Sequence, residues 1–365
     1  MFKESRSVIN AGITNEVLIL GLWSEGLQKE EEIFPNCNVV RFSVFTKNLP
    51  KNILFSALKY AEWSLKVVFF LSFNKIDVIH AHSLKSLPVA VIIKTLLKCF
   101  LVYDAHELET ETYGLKKKFK KVFKFVESIC VRFSDEVITV SDSISKYYRK
   151  SYEKVFPLVV KNIPTKRTQQ YCDANLRARC KISADDILFL HLGGLVLGRG
   201  IERLLDAFST VRDNKHLTFI GSGVLESKIT PLTLETKNIH LLESVPSWQV
   251  TSFAKEADLG LCLTEDTCLN NRLSLPNKLF EYLMAGLPTV VNDLPEQRKF
   301  VEKYKCGWII SHSYDLSDFL RKLSLKDILE KKRGAEKVCT ELSWEKEVEP
   351  YLRIFKRNIL SYNNS

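Results

Sequence analysis

The chain has 365 residues, 45% of them hydrophobic and 26% charged, and this ordinary globular composition excludes a disordered or collagen-like protein. Lysine and arginine number 53 against 43 aspartates and glutamates, so the net charge of +10 favours an anionic partner: nucleic acid, phospholipid headgroups or a phosphorylated small molecule. The nine cysteines are scattered without any Cys-x-x-Cys pair, which argues against a zinc ribbon or a disulfide framework and is typical of a reducing cytoplasm.

The first half of the chain alternates short β-branched runs with helical segments, which predicts an α/β domain with a parallel sheet. The apolar segment 53–73 is interrupted by Lys59, Glu62 and Lys66, so it predicts a buried or interfacial helix and not a membrane span. Further helices are predicted at 1–12, 87–98 and 116–133, and strands at 16–22, 38–44, 77–82, 100–106 and 136–141.

The start of the chain departs from the usual order of such a domain. An open α/β domain ordinarily begins with a strand, whereas this chain begins with a predicted helix. We therefore expect the first domain to lack its opening strand and to expose the sheet edge beside it. We also expect an in-frame extension upstream of Met1 that encodes about 5–8 apolar, β-rich residues and a turn.

A second α/β series follows the polar segment 159–170, which contains Pro164 and has the composition of a linker. Strands are predicted at 187–193, 217–223, 239–244, 259–264, 288–293 and 307–310, with helices between them. The chain therefore divides into domains 1–163 and 164–343, followed by the segment 344–365.

Polar side chains close two predicted strands of the first domain, where ligands of parallel sheets bind. His80 and His82 end one strand, and Asp104, His106 and Glu107 end another. The two histidines would form half of a metal site, but no carboxylate or cysteine accompanies them at ligand spacing, so we expect no metal. His106 beside an acidic residue fits a group that polarises a substrate hydroxyl, and a hydrogen-bonded structural histidine is the alternative.

The second domain contains a glycine-rich turn between a strand and an amphipathic helix, in HLGGLVLGRGIERLLDAF (191–208). Gly193 and Gly194 let a ligand approach the backbone, the helix N-terminus favours an anion, and Arg199 is placed to grip a diphosphate. The segment FIGSGVLE (219–226), with Gly221, matches half of a dinucleotide fingerprint, and by itself indicates a tight turn.

The segment SLPNKLFEYLMAGLPTVVND (274–293) predicts a helix that begins near Pro276, ends at Gly286 and leads into a strand. Asn277, Lys278 and Glu281 then place an amide, a cation and a carboxylate on one face. A carboxylate there can accept both hydroxyls of a ribose while helix N–H groups hold phosphates. A solvated surface turn with a chance ion pair is the alternative.

Taken together, these segments resemble the family 4 glycosyltransferases, the retaining, nucleotide-sugar-dependent enzymes of GT-B architecture. The resemblance covers nearly the whole chain, and it is carried, in the order and spacing of the family, by DVIHAHSLKSLPVA, LVYDAHELETETYG, SDEVITVSDSISKYY, GGLVLGRGIERLLDAF, FIGSGVLE and LPNKLFEYLMAGLPTVV. It implies two Rossmann-like parallel-sheet domains that face a cleft. It also implies a C-terminal helix, within 344–365, that returns to the first domain.

The resemblance implies roles for individual residues. His106 is then the active-site histidine near the transferring sugar, Arg199 the basic residue on the donor diphosphate and Glu281 the acid that binds the nucleotide ribose. The remaining donor-side residues are Gly193, Gly194, Gly221, Asn277 and Lys278, and the remaining acceptor-side residues are His82, Asp104 and Glu107.

Two positions depart from the family pattern. Many members carry a second glutamate ahead of the ribose glutamate, and that position here is Leu273. An arginine often follows the first glycine of the diphosphate loop, and that position here is Gly194. Both changes affect the sugar end of the donor site more than the nucleotide end.

The expected function is transfer of a sugar from a nucleoside-diphosphate donor to an acceptor hydroxyl, in polysaccharide or glycolipid biosynthesis. No Asp-x-Asp sequence occurs, so we expect a metal-independent reaction with the nucleotide-sugar as co-substrate and no further cofactor. The acceptor would be a saccharide or a lipid-linked saccharide. A nucleotide-sugar epimerase, a phosphorylase and a degenerate nucleotide-sugar-binding protein without turnover are the alternatives, and nucleic-acid binding is not expected because no such motif is present.

The segment 114–133 combines six lysines (Lys116, Lys117, Lys118, Lys120, Lys121 and Lys124) with apolar residues at helical spacing. A solvated basic face over a buried stripe is one interpretation. The other is an interfacial helix that docks on anionic lipid. The expected location is therefore the cytoplasm, with peripheral attachment to the cytoplasmic face of the plasma membrane as a further possibility.

Overall fold

Within the described residues, the first half of the chain forms seven strands and five α-helices. The computed structural model describes residues 1–50, 52–166, 174–211, 214–313 and 315–362. The strands are β1 (Val17–Leu22), β2 (Glu30–Phe34), β3 (Cys37–Phe42), β4 (Val78–Ala81), β5 (Phe100–Ala105), β6 (Glu136–Thr139) and β7 (Leu158–Val159). The helices are α1 (Phe2–Asn10), α2 (Ile53–Leu71), α3 (Leu87–Leu97), α4 (Lys117–Cys130) and α5 (Asp142–Ser151).

These strands form two sheets, where the sequence predicts one parallel sheet. Strands β4, β5, β6 and β7 are parallel neighbours in that order, and β1, β3 and β2 form a separate sheet. Strand β2 runs antiparallel to β3 and was missed because its sequence, EEEIF, is acidic and largely exposed. Among the described residues, β1 pairs only with β3 and β4 only with β5, so each is an edge strand.

The second half forms one six-stranded sheet with helices on both faces. Its elements are α6 (Leu176–Arg179), β8 (Ile187–Leu192), α7 (Ile201–Thr210), β9 (Lys215–Ile220), α8 (Glu226–Glu235), β10 (Ile239–Leu242), α9 (Val250–Lys255), β11 (Leu259–Cys262), α10 (Leu269–Leu273), α11 (Asn277–Met284), β12 (Thr289–Asn292), α12 (Pro295–Tyr304), β13 (Gly307–Ile310), α13 (Leu316–Lys322) and α14 (Leu325–Glu341). The strand order is β10-β9-β8-β11-β12-β13, and all neighbours are parallel. Strands β8 and β11 are fully buried, as their continuous apolar sequences predict.

The last helices, α15 (Trp344–Glu347) and α16 (Glu349–Tyr362), pack against the first half of the chain. Tyr351 and Phe355 share a core cluster with Val102 of β5. The indole Nε1 of Trp344 donates a hydrogen bond to Ser7 Oγ on α1, at 2.8 Å. The division into 1–163, 164–343 and 344–365 stays a prediction, and part of the predicted linker, 167–170, lies outside the described residues.

No helix among the described residues is both long enough and apolar enough to cross a membrane. Helix α2 is the longest, with 19 residues, and it contains the three charged residues noted above.

Candidate active site

Helix α11 is built as its sequence predicts. Pro276 is the N-cap, and its φ of −65° is the value that the pyrrolidine ring imposes. The helix ends at Met284, and Gly286 follows with a left-handed φ of +74°, where glycine has no steric penalty. The first turn of α11 therefore presents Asn277, Lys278 and Glu281 from a fixed position beside β8.

Lys278 is buried and its ammonium group contacts His191, the last polar residue of β8. The distance from Lys278 Nζ to His191 Nε2 is 3.0 Å, so the histidine accepts a hydrogen bond through that nitrogen. Burial lowers the pKa of Lys278 to about 8, and burial followed by the charge of Lys278 lowers the pKa of His191 well below its usual value. A neutral imidazole therefore holds a buried cation in place, while His191 Nδ1 is buried without a hydrogen-bond partner among the described residues.

Arg199 and Glu281 complete a charged group around Lys278. The charge of Arg199 contributes to the lowered pKa of both His191 and Lys278, which places the guanidinium group within electrostatic range of them. Burial raises the pKa of the half-buried Glu281 carboxyl group, and Lys278 opposes that shift. Within the described part of the chain neither Arg199 nor Glu281 has an ion-pair or side-chain hydrogen-bond partner. Two cations and a carboxylate therefore lie near one another, and Arg199 and Glu281 have unused binding capacity.

The glycine-rich turn lies at the same end of the sheet, and its glycines are required by close packing. A Cβ at Gly221, which follows β9, would lie 1.9 Å from the carbonyl oxygen of Gly193. At Gly200, the N-cap of α7 with a φ of +74°, a Cβ would lie 2.6 Å from the carbonyl oxygen of Leu263. Gly193 and Gly194 are exposed and leave the backbone open to a ligand.

The structure adds detail at two donor-side positions. Helix α7 begins at Ile201, directly after its N-cap Gly200 and the loop that contains Arg199. The side-chain oxygen of Asn277 accepts a hydrogen bond from Asn162 Nδ2 at 2.9 Å. Asn277 is thus engaged with the segment that connects the two halves of the chain.

In the first half, one buried carboxylate lies between two of the predicted histidines. Asp104 Oδ2 is 3.0 Å from His82 Nδ1 and 3.8 Å from His106 Nδ1. The shorter distance is a hydrogen bond, and the longer one is an electrostatic contact only. The side chain of His106 is 47% exposed and that of Glu107 is exposed, so both face open space at the carboxyl end of β5.

The fold brings a carboxylate to His80 and His82 that the sequence does not place there. Glu4 of α1 joins them. One carboxylate oxygen of Glu4 and one imidazole nitrogen of each histidine, the atoms that could bind a metal ion, lie within 4.8 Å of one another. His80 Nε2 is buried without a hydrogen-bond partner among the described residues, and His80 Nδ1 lies 3.3 Å from the hydroxyl group of Tyr351. No local sequence signal identifies Glu4, because it lies far from His80 along the chain and only the fold brings the two side chains together.

Hydrogen bonds join the two halves of the chain near the carboxyl ends of their strands. The backbone N–H of Leu108, two residues after His106, donates to Asn270 Oδ1 at 2.8 Å. Ser141 Oγ, at the end of the next strand, donates to the carbonyl oxygen of Leu273 at 2.6 Å. His106 and the first turn of α11 therefore lie on edges that face each other across one cleft. Asn270, in the short helix α10, was missed because the polar sequence around it carries no distinguishing pattern.

Both halves of the chain match known protein families. Residues 11–157 match the family described as Glycosyltransferase Family 4, and residues 186–325 match the family described as Glycosyl transferases group 1. The chain belongs to the GT-B glycosyltransferases. The curated relative TuaC of Bacillus subtilis (strain 168), whose name describes a teichuronic acid biosynthesis glycosyltransferase, is 24% identical over 224 residues. That match covers 60% of this glycosyltransferase and 53% of the relative, so the chain spans about half of the relative's length.

Solved structures share the architecture of this glycosyltransferase at low sequence identity. Sucrose-phosphate synthase from Thermosynechococcus elongatus has a TM-score of 0.80 at 15% identity, over 98% of this chain and 92% of the other. The Anabaena protein HepE, solved with UDP-glucose, has a TM-score of 0.65 at 16% identity, over 89% of this chain and 85% of the other. These likenesses confirm the predicted fold of two Rossmann-like domains.

The Leu273 departure has a structural correlate in this glycosyltransferase. The side chain of Leu273 packs on the apolar cluster of the first half that contains Leu108 and Tyr148. A carboxylate at this position would therefore be partly surrounded by apolar groups in the present arrangement. Leu273 contributes an interdomain contact in place of the second acid.

Proposed function

We propose that this glycosyltransferase moves a sugar from a nucleoside-diphosphate donor to an acceptor hydroxyl. The observation that carries the proposal is a group of two cations and a carboxylate, Arg199, Lys278 and Glu281, beside an open glycine-rich turn. Among the described residues Arg199 and Glu281 have no side-chain partner, and Lys278 is held by His191. Two cations match a diphosphate, and a carboxylate can accept both hydroxyls of a ribose. The UDP-glucose complex of HepE supports the same donor class for a protein of this architecture.

In the proposed reaction the bond between the anomeric carbon and the β-phosphate oxygen breaks, and a bond from the acceptor oxygen to that carbon forms. The acceptor hydroxyl releases its proton to solvent, and the nucleoside diphosphate leaves with one additional negative charge. Arg199 and the ammonium group of Lys278 stabilise that charge at the donor side. His106 and the Asp104–His82 pair orient the sugar and the acceptor from the opposite edge of the cleft.

We propose retention of the anomeric configuration, no metal ion and no cofactor beyond the nucleotide-sugar, and a saccharide or lipid-linked saccharide acceptor in cell-surface polysaccharide or glycolipid synthesis. We also propose that the enzyme works in the cytoplasm. The eight described cysteines are free thiols, which supports a reducing compartment. Product anomer analysis by NMR, with and without a chelator, tests retention and metal independence.

The deciding experiment measures nucleoside-diphosphate binding by calorimetry and sugar transfer by mass spectrometry, with Glu281→Ala as the variant. Loss of the ribose contact should weaken binding by about 10–100-fold, because a hydrogen-bonded charged group contributes about 1.5–3 kcal/mol. Glu302→Ala, an exposed acid on α12 that pairs with Arg298, is the matched control and should bind normally.

The other outcomes identify the alternatives. Isomerised donor in the absence of acceptor would show an epimerase, and release of a sugar phosphate with inorganic phosphate would show a phosphorylase. Binding of donor without transfer to any acceptor would show a binding protein that has lost turnover. Unchanged nucleotide affinity in a folded Glu281→Ala protein would remove this residue from the site.

A further inference from the structure

Helices α2, α3 and α4 lie side by side on one face of the first half and expose large apolar side chains. On α2 and just beyond its end, five such residues are between 48% and 76% exposed: Leu54, Leu58, Leu65, Phe69 and Phe73. On α3 and α4, and just beyond α4, further residues are between 39% and 66% exposed: Ile92, Leu96, Val122, Phe123, Phe125, Ile129 and Phe133. We call this face the α2–α4 surface.

The exposed residues form stripes because their spacing is helical. On α2 the exposed stripe lies opposite the buried residues Val67 and Leu71, which pack in a cluster with Val89 and Ile93 of α3. Helices α2 and α3 thus each have one apolar stripe that stabilises the domain and a second apolar stripe that faces outward. A water-soluble surface helix ordinarily has only the first of these, and a large exposed apolar area indicates a binding surface.

The same surface is almost free of acidic groups. Glu62 is the only acid of α2 and pairs with Lys66, and α3 has none. Glu127, the only acid of α4, is buried, so the outward surface of that helix carries no negative charge. Apolar side chains interleaved with lysines complement a negatively charged bilayer, which offers acyl chains below anionic headgroups.

The lysines of the segment 114–133 differ in their availability. Lys120 and Lys124 are half-buried and both pair with Glu111. Four others, Lys116, Lys117, Lys118 and Lys121, are exposed and have no partner among the described residues. The four exposed lysines are therefore available to attract an anionic surface, and the two paired lysines connect the helix to Glu111.

We propose that the α2–α4 surface docks on an anionic lipid bilayer, with the exposed lysines at the headgroups and the apolar stripes inserted below them. The docking is monotopic, since it needs no spanning helix. It goes beyond the proposed function and does not depend on the donor site. A shallow depression with a volume of about 470 Å³ lies at one end of the surface and would receive part of an acyl chain. Its lining residues are Phe42, Phe69, Phe70 and Phe73, with Lys66 and Asn74 among them.

The charge part of the proposal is tested by sedimentation of the full chain with phosphatidylcholine vesicles that contain or lack phosphatidylglycerol. The wild-type protein should sediment much more with the anionic vesicles than with the neutral ones. Lys117→Glu/Lys118→Glu/Lys121→Glu should weaken that binding about tenfold or more. Lys326→Glu/Lys332→Glu/Arg333→Glu on α14 makes the same change in net charge away from the surface and should bind like the wild type.

The apolar part is tested at high salt, which screens the lysines but not insertion. Wild-type binding should fall but persist, and Phe69→Ser/Phe125→Ser should abolish the part that persists. Leu234→Ser/Leu329→Ser, at exposed positions of the second half, is the matched control. A wild-type protein that stays in the supernatant with anionic vesicles at low salt overturns the proposal. So does a dimer in sedimentation velocity that Phe69→Ser/Phe125→Ser dissociates, because a second copy would then cover the surface.

Failure of this proposal and failure of the proposed function give different results. Glu281→Ala should bind vesicles like the wild type whether or not the protein transfers sugar. The lysine and phenylalanine variants should bind nucleoside diphosphates like the wild type in free solution. A lysine variant that loses both properties would indicate misfolding, which circular dichroism and the melting temperature of each variant check.

Discussion

Arg199 is a half-buried cation at the carboxyl end of a buried sheet and has no partner in the described part of the chain. An unpaired cation in such a place is suited to a bound anion. Negative charge on the diphosphate grows as the sugar leaves, so its contact with Arg199 strengthens in the transition state. We expect Arg199→Ala to lower kcat by about 100-fold. Steady-state kinetics checks this, and a variant with only a raised KM would contradict the role.

Lys278 gives the donor site a pH dependence with a defined sign. Burial lowers its pKa to about 8, so the ammonium group is charged at pH 7 and largely neutral at pH 9. Because only the charged form attracts a diphosphate, affinity should fall about tenfold between those pH values. Calorimetric titration with a nucleoside diphosphate across this range measures the effect.

Lys278→Met provides the contrast for that titration. It should bind weakly at every pH, with a flat profile, since the titrating group is gone. Lys326→Met, at an exposed position on α14, should keep the wild-type profile. A falling profile retained in Lys278→Met would assign the pH dependence to another group.

At the scale of elements, one buried carboxylate connects helix α4 to the rest of the first half of the chain. Glu127 accepts hydrogen bonds from the hydroxyl groups of Tyr103, Tyr148 and Tyr152, at 3.1, 2.5 and 2.7 Å. These tyrosines come from β5, from α5 and from the residue after α5. One side chain therefore joins α4 to the sheet and to the next helix.

Glu127→Ala should leave three buried hydroxyl groups without their acceptor. We expect the free energy of unfolding of the first half to fall by about 3 kcal/mol or more, since each unsatisfied buried group costs about 1–3 kcal/mol. Urea denaturation monitored by circular dichroism measures it. Glu153→Ala, at an exposed position after α5, should change stability little, and equal stability of the two variants would show that Glu127 is not the fastening group.

At the scale of the whole molecule, the two halves of the active site depend on contacts across the cleft. Asn270 accepts a hydrogen bond from the N–H of Leu108, and this contact lies close to His106 in sequence. We expect Asn270→Ala to lower kcat about tenfold, from the loss of one buried hydrogen bond that positions the edges. Nucleoside-diphosphate affinity should not change, because Arg199, Lys278 and Glu281 all lie on the second half.

The neighbouring asparagine is the control for that measurement. Asn271 donates to the carbonyl oxygen of Glu265 and to Thr267 Oγ1, both within the second half. Asn271→Ala should therefore leave the cleft intact and keep kcat near the wild-type value. Equal losses in both variants, or a loss of nucleotide affinity in Asn270→Ala, would contradict the positioning role.

The sequence by itself determined the fold class, because buried parallel strands are continuous apolar runs and their helices have regular caps. The strands β8 and β11 and the helix from Asn277 to Met284 are examples. It also determined which strand ends carry polar groups, since those groups follow directly on the apolar runs. It did not reveal β2, whose charged sequence lacks the alternation of a half-buried strand.

Only the tertiary structure decided which of these groups act together. His191 belongs to an apolar strand in the sequence, and its contact with Lys278 appears only in the fold, as does the hydrogen bond between Asn162 and Asn277. Glu4 and Asn270 reach their partners across long stretches of chain. The outward stripes of α2–α4 likewise need the fold, because a helix pattern shows which residues are apolar but not which face the domain buries. Contacts between residues distant in sequence depend on packing, and local patterns do not encode them.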